Sequence, residues 1–285
     1  MKITLSQFAG FCDGVRRAFE RVSDIKFEKI KKPIYVLGSL VHNQDVVARI
    51  EEKGIRKIDM QTFLDAKDGE IGTLIITAHG VGPKIYAIAK EKNIDIIDTT
   101  CPRVIKVQRL AQVYLKRGYF IVLIGDKDHK EVKSIFEWGG GKAAIISNHV
   151  DLHNFDIKDD VKIAILSQTT QSKDFVKEVG EYLQNKYTNV ENLDTICLAT
   201  EERQDEIKKI ARDNNAVIVI GSPDSANSNR LFEISSNVNP KTIFIERAGD
   251  LDSSWFSGLE TVAVTAGAST PDWIIADVIS RIKNL

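Results

Sequence analysis

Six short runs of mostly apolar residues recur along the chain, at 34–37, 73–77, 120–124, 162–166, 216–220 and 261–265, each ending abruptly in a polar loop. Unbroken runs of this length predict strands of parallel sheets covered on both faces, not half-exposed strands with alternating polarity. Between them the apolar positions change to helical spacing, as in Val15, Ala18, Phe19 and Val22, in Val104, Val107 and Ala111, and in Ile207, Ile210 and Ala211. Shorter strand candidates at 2–5, 94–97 and 189–193 lead into these three helices. Each of the three helices also opens beside a cysteine, Cys12, Cys101 or Cys197, and these divide the chain into three nearly equal parts.

The pattern predicts an α/β fold of three pseudo-equivalent modules with mostly parallel sheets. Their expected limits are 13–99, 100–194 and 195–285, led by Cys12, Cys101 and Cys197. The third has no strand candidate at its end, so segment 1–12 is expected to complete it. A helix N-terminus favours thiolate over thiol through its positive dipole end and unpaired N–H groups. Pro102 suits the first helical position, and Thr200 with Glu201 and Glu202 suits a capped, acidic start to the third helix.

Composition narrows the classes. With Lys+Arg 39 against Asp+Glu 40 and a net charge of -1, the chain lacks the basic excess that drives binding to nucleic acid. No apolar stretch is long enough to span a bilayer and no leader is evident, so a soluble, cytoplasmic protein is expected. An odd number of widely spaced cysteines argues against a disulfide framework and leaves reduced thiols for metal binding or catalysis.

In open parallel sheets, ligands bind beyond the carboxyl ends of the strands. The loops there carry His42, His79, His129, Glu131, Thr169, Ser225, Asn227 and Ser269, whereas His149 and His153 lie away from any strand end and read as surface residues. The hydroxyl and amide residues have a plain alternative as helix caps. Among the carboxylates, Asp126 and Asp128 compete with Glu131, whose own alternative is to complement a helix dipole. If the strand ends converge, thiolates, imidazoles and neutral donors make a site for a metal centre and a compact anion such as a diphosphate. Three cysteines would leave one coordination position open.

The strings AGFCDGV, VHN, AHGVGP, DTTCP, HKEV, SQTT, CLAT, SANSNRL and TAGASTP, in this order from residue 9 to residue 271, resemble the LytB/IspH family of iron-sulfur reductases. The resemblance implies a central [4Fe-4S] cluster on Cys12, Cys101 and Cys197, with the fourth iron open to substrate. It implies reduction of 4-hydroxy-3-methylbut-2-enyl diphosphate to isopentenyl and dimethylallyl diphosphate in the non-mevalonate pathway, with loss of the allylic hydroxyl as water. His42, His79, His129, Ser225, Asn227 and Ser269 would surround the substrate, Thr169 would meet its hydroxyl, and Glu131 would supply a proton. Reduced ferredoxin or flavodoxin would donate electrons. The chain departs from the family pattern at Asp128 and Lys130, where glycine and proline are common, and at Ala226, where serine is common.

Two other readings fit part of the pattern. A non-catalytic cluster sensor accounts for the thiols but leaves the histidines, Glu131 and Thr169 without a task. A zinc hydrolase could use the same ligand types.

Overall fold

A computed structural model describes residues 1–284. The chain opens on β1 (Lys2–Leu5). Strands β2 (Ile34–Leu37), β3 (Arg56–Ile58), β4 (Thr73–Ile76) and β5 (Asp95–Asp98) form one sheet in the order β3-β2-β4-β5. A second contains β6 (Phe120–Ile124), β7 (Ala144–Ile146), β8 (Ile163–Ser167) and β9 (Val190–Asn192), in the order β7-β6-β8-β9. The third combines β10 (Ala216–Ile220), β11 (Thr242–Ile245) and β12 (Thr261–Ala266) with the N-terminal strand, in the order β1-β12-β10-β11. All pairings are parallel, as the unbroken apolar runs predict.

The fold divides into two compact units. One comprises 1–16, 42–44 and the chain from Cys197 onward, and holds the third sheet; the other comprises 17–41 and 45–196, and holds the first two. In each sheet the two central strands are the six apolar runs of the sequence. Their side chains are sealed by helices: Val264 and Ile218 against Ile274 and Val278 in one unit, Leu123 and Ile121 against Val107 and Ile135 in the other. Full burial of such a side chain contributes about 1.5–3 kcal/mol.

Differences from the sequence reading are local and have local causes. The candidate at 94–97 becomes Asp95–Asp98, because Asp98 pairs with Ile76 at the end of the ladder. The run at 162–166 moves by one residue to Ile163–Ser167, with Ser167 opposite Ile124. Strands β3, β7 and β11 were not singled out. They are sheet edges of three or four residues; β3 reads as polar, whereas β7 and β11 are short, partly exposed apolar runs outside the six named above. The third cysteine-led helix, Leu198–Arg212, starts before the expected cap at Thr200. Cys197 is its N-cap, and the Cys197 carbonyl accepts from the N–H groups of Thr200 at 2.8 Å and Glu201 at 3.1 Å. No helix among the described residues is long and apolar enough to cross a membrane.

The loop after β4 turns at Gly80, whose φ of +71° lies in the left-handed region that glycine adopts without strain. A Cβ there would come within 2.6 Å of Gln108 Nε2 and 2.8 Å of Thr100 Cγ2. Gly80→Ala is expected to destabilise the protein by about 1–3 kcal/mol through backbone strain and crowding, read as a lower urea midpoint. An unchanged midpoint would show that the loop relaxes freely.

Candidate functional site

The predicted site residues fall into two groups, one in each unit. In the unit that holds β2 to β9, the chain leaves β6 through Gly125 and enters the helix Lys130–Trp138 at His129. His129 caps that helix: its Nδ1 accepts the Glu131 N–H at 3.3 Å. A neutral ring that accepts at Nδ1 carries its proton on Nε2, so His129 presents an N–H donor on its far side. The His79 ring packs edge to face on it, with centroids 5.1 Å apart and planes at 88°.

Glu131, in the first turn of the same helix, is 2% exposed. Its Oε1 accepts the Thr169 N–H at 2.6 Å and its Oε2 accepts the Thr169 hydroxyl at 3.0 Å. Burial pushes its pKa up to about 7, against the opposing pull of these two hydrogen bonds. Near neutral pH the carboxyl therefore exists in both forms, and the protonated form can donate to Thr169 Oγ1. Asp128 cannot compete for this role, since its side chain is fully exposed and paired with Lys133 at 3.0 Å. Asp126 is only half-buried.

Thr169 is no helix cap, because Ser172 caps the helix Lys173–Lys186. The residue beside it, Gln168, lies within the SQTT string, which carries no signal of its role. It is fully buried; its Oε1 accepts the Asp126 N–H at 3.0 Å and its Nε2 donates to Thr170 Oγ1 at 2.9 Å. Through Asp126 it thus ties the loop after β6, which leads into the Glu131 helix, to the loop after β8, which carries Thr169.

Cys101 is the N-cap of the helix Pro102–Lys116, with Pro102 at its start as expected. Its N–H donates to the Ala78 carbonyl at 3.0 Å, which joins the cysteine loop to the residue before His79. Asp98 braces the same loop, accepting from Thr100 N–H at 2.9 Å and from the Tyr86 hydroxyl at 2.8 Å.

In the other unit, Cys12 precedes the helix Asp13–Ser23 and donates its N–H to the Ala268 carbonyl at 3.2 Å. Cys197 Sγ lies 3.1 Å from Thr200 Oγ1. All three cysteines are half-buried and none forms a disulfide. The start of the helix Ala226–Val238, with Ser225, Asn227 and Ser228 buried, lies beside the remaining donors. Ser225 caps it, accepting from Ser228 N–H at 3.3 Å; Ser269 Oγ lies 3.4 Å from Ser225 Oγ and donates to the His42 carbonyl at 3.2 Å. The buried Asn227 Nδ2 has no acceptor among the described residues. Only Ser225 serves as a cap; Asn227 and Ser269 do not, which leaves polar atoms at a helix N-terminus suited to an anion. His149 and His153 are exposed, as expected.

The LytB protein family model matches residues 3–283. A protein of Alkaliphilus oremlandii named 4-hydroxy-3-methylbut-2-enyl diphosphate reductase is 40% identical over the whole of both chains. One of the same name from Pelobacter propionicus is 39% identical over all of this chain and 99% of its own. Among solved structures, the E-1-hydroxy-2-methyl-but-2-enyl-4-diphosphate reductase of Plasmodium falciparum superposes with a TM-score of 0.90 at 33% identity, covering 98% of this chain and 87% of that one. An (E)-4-hydroxy-3-methyl-but-2-enyl diphosphate reductase, described as the terminal enzyme of the non-mevalonate pathway, gives a TM-score of 0.69 at 34% identity over the whole of both chains.

The raised pKa of Glu131 has a stability consequence with a definite sign. A carboxyl that titrates at 4.5 when unfolded and near 7 when folded binds more protons in the folded state between those values. Its stabilising contribution is complete below about pH 4.5 and is lost as pH rises through about 7, a change of roughly 3 kcal/mol. Relative to wild type, Glu131→Gln is therefore expected to gain stability as pH rises from 5 to 8 in urea unfolding. A difference that stays flat across this range would place the carboxyl at its ordinary pKa.

Proposed function

Because the chain belongs to the LytB protein family, we propose that it is a 4-hydroxy-3-methylbut-2-enyl diphosphate reductase acting through the residues described above. The enzyme is an oxidoreductase. Its reaction breaks the allylic C–O bond, takes up two electrons and two protons, releases water and yields isopentenyl or dimethylallyl diphosphate.

Cys12, Cys101 and Cys197 are the proposed ligands of a [4Fe-4S] cluster. The donor chemistry fits: three half-buried cysteines outside any disulfide, each at the N-terminal end of a helix, supply the sulfur ligands such a cluster takes. When bound, such a cluster passes electrons singly and presents an electron-poor iron to the substrate. Reduced ferredoxin or flavodoxin is the proposed donor, as membership of the family implies.

The observation that carries the acid–base assignment is the buried Glu131 carboxyl held by Thr169 through both of its oxygens. A hydroxyl leaves poorly as hydroxide and well as water, so a proton must reach it as the bond breaks. Protonated Glu131 donates from Oε2 to Thr169 Oγ1, and the Thr169 hydroxyl passes a proton to the substrate oxygen. Thr169 Oγ1 also orients that oxygen. The diphosphate takes hydrogen bonds from Ser225, Asn227 and Ser269 at a positive helix end, and from the N–H groups of His42, His79 and His129. Ala226 contributes no hydroxyl here.

Anaerobically reconstituted protein is expected to oxidise reduced viologen only when 4-hydroxy-3-methylbut-2-enyl diphosphate is added, forming the two five-carbon diphosphates. Glu131→Gln is expected to keep its iron and its affinity for substrate while losing at least about 100-fold in turnover, the scale of a general acid. Wild-type turnover should fall as pH rises above about 7, where Glu131 loses its proton. Full activity in Glu131→Gln would move the proton source to another residue.

A further inference from the structure

Arg203 lies on the second turn of the helix Leu198–Arg212, and its side chain leans toward the helix N-terminus, as helical side chains do. Its Nη1 donates to the Ala199 carbonyl at 2.8 Å and its Nη2 to the Gly10 carbonyl at 2.8 Å. Ala199 stands two residues after Cys197, and Gly10 two residues before Cys12. A single planar guanidinium therefore fastens together the backbones of two cysteine loops. Gly10 is itself constrained there, with φ at +94° and a would-be Cβ only 3.0 Å from Ile275 Cδ1 and 3.1 Å from Asp272 Oδ1.

Arg203 is 6% exposed, and its Nε has no acceptor among the described residues. A buried cation is costly unless negative charge faces it. Burial holds the guanidinium below its usual range, while Cys12 and Cys197 lead the groups that favour its charged form, followed by Glu202 and Asp13. Two neutral carbonyls take one N–H each from Nη1 and Nη2 and leave the charge uncompensated, so the buried guanidinium suits an anionic group held by Cys12 and Cys197.

We propose that Arg203 is a positioning residue that sets the spacing of Cys12 and Cys197 and raises the reduction potential of the cluster they hold, an inference resting on the ligand assignment above. Each electron taken up adds one negative charge to the cluster. A fixed positive charge near the cluster would stabilise the reduced form more than the oxidised one. Arginine suits the task because it keeps its charge when buried and its planar fork reaches two carbonyls at once.

The test is a redox titration of anaerobically reconstituted wild type, Arg203→Gln and Arg203→Lys, followed by electron paramagnetic resonance, with iron and sulfide content measured in parallel. Arg203→Gln is expected to disfavour reduction at least tenfold, a shift of about 59 mV to lower potential for a one-electron couple. Arg203→Lys, which keeps the charge, should stay within about threefold of wild type, or half that shift. Equal potentials in all three proteins overturn the proposal. If Arg203→Gln takes up no cluster, Arg203→Lys decides: normal loading and potential uphold the role of charge, whereas failed loading or a tenfold shift overturns it. A wild-type protein that shows no reduced-cluster signal overturns the ligand assignment, and this proposal with it.

Discussion

Every strand in this protein runs parallel to its sheet neighbours, and that constraint governs where chemistry can sit. A parallel strand cannot return by a tight hairpin, so each chain passage leaves a strand's carboxyl end, turns, and commonly enters a helix at its N-terminus. Such passages combine unsatisfied N–H groups, a positive dipole end and short polar side chains. His42, His79, His129, Glu131, Thr169, Ser225 and Ser269 all lie on passages following central strands. Cys12, Cys101 and Cys197 lie on the passages that follow the edge strands β1, β5 and β9, each at the start of a helix. The apolar cores below need only hydrophobic volume; the loops above them carry the specific side chains.

Within that frame, Glu131 is held in a state that an exposed carboxylate would not adopt. Burial raises its pKa, and Thr169 supplies two hydrogen bonds that keep the ionised form accessible. The balance leaves a proton available near neutral pH. Gln168 fixes the loops on either side, so the distance between acid and hydroxyl does not depend on an exposed side chain finding its place. Arg203 works in the opposite electrostatic sense, as a permanent buried cation near two thiols. In both cases a polar group is removed from water and given a few directed partners, which makes its charge effective over short distances.

Much of this was legible in the sequence because the signals are strong and local. The central strands are continuous apolar runs, and their edges shifted by at most one residue. Pro102 marked a helix start correctly. What escaped was set by tertiary contact. The edge strand Arg56–Ile58 reads as polar, and it forms because β2 offers it a ladder. Thr200 looked like a cap, but the Cys197 carbonyl begins the helix earlier. Asp126 and Asp128 compete with Glu131 on sequence alone; the resemblance favours Glu131, and its burial and Thr169 contacts set it apart from both. Gln168 and Arg203 carried no local signal for their roles, since their partners lie on other segments of the chain.

The most direct test is the protonation of Glu131 itself, followed by infrared difference spectroscopy of the carboxylic acid C=O band across pH, with Glu131→Gln as the control that lacks it. A band absent from the variant and titrating near pH 7 is the expected result. A band that disappears near pH 4.5, or that persists unchanged in Glu131→Gln, would contradict the assignment of Glu131 as the proton-holding group.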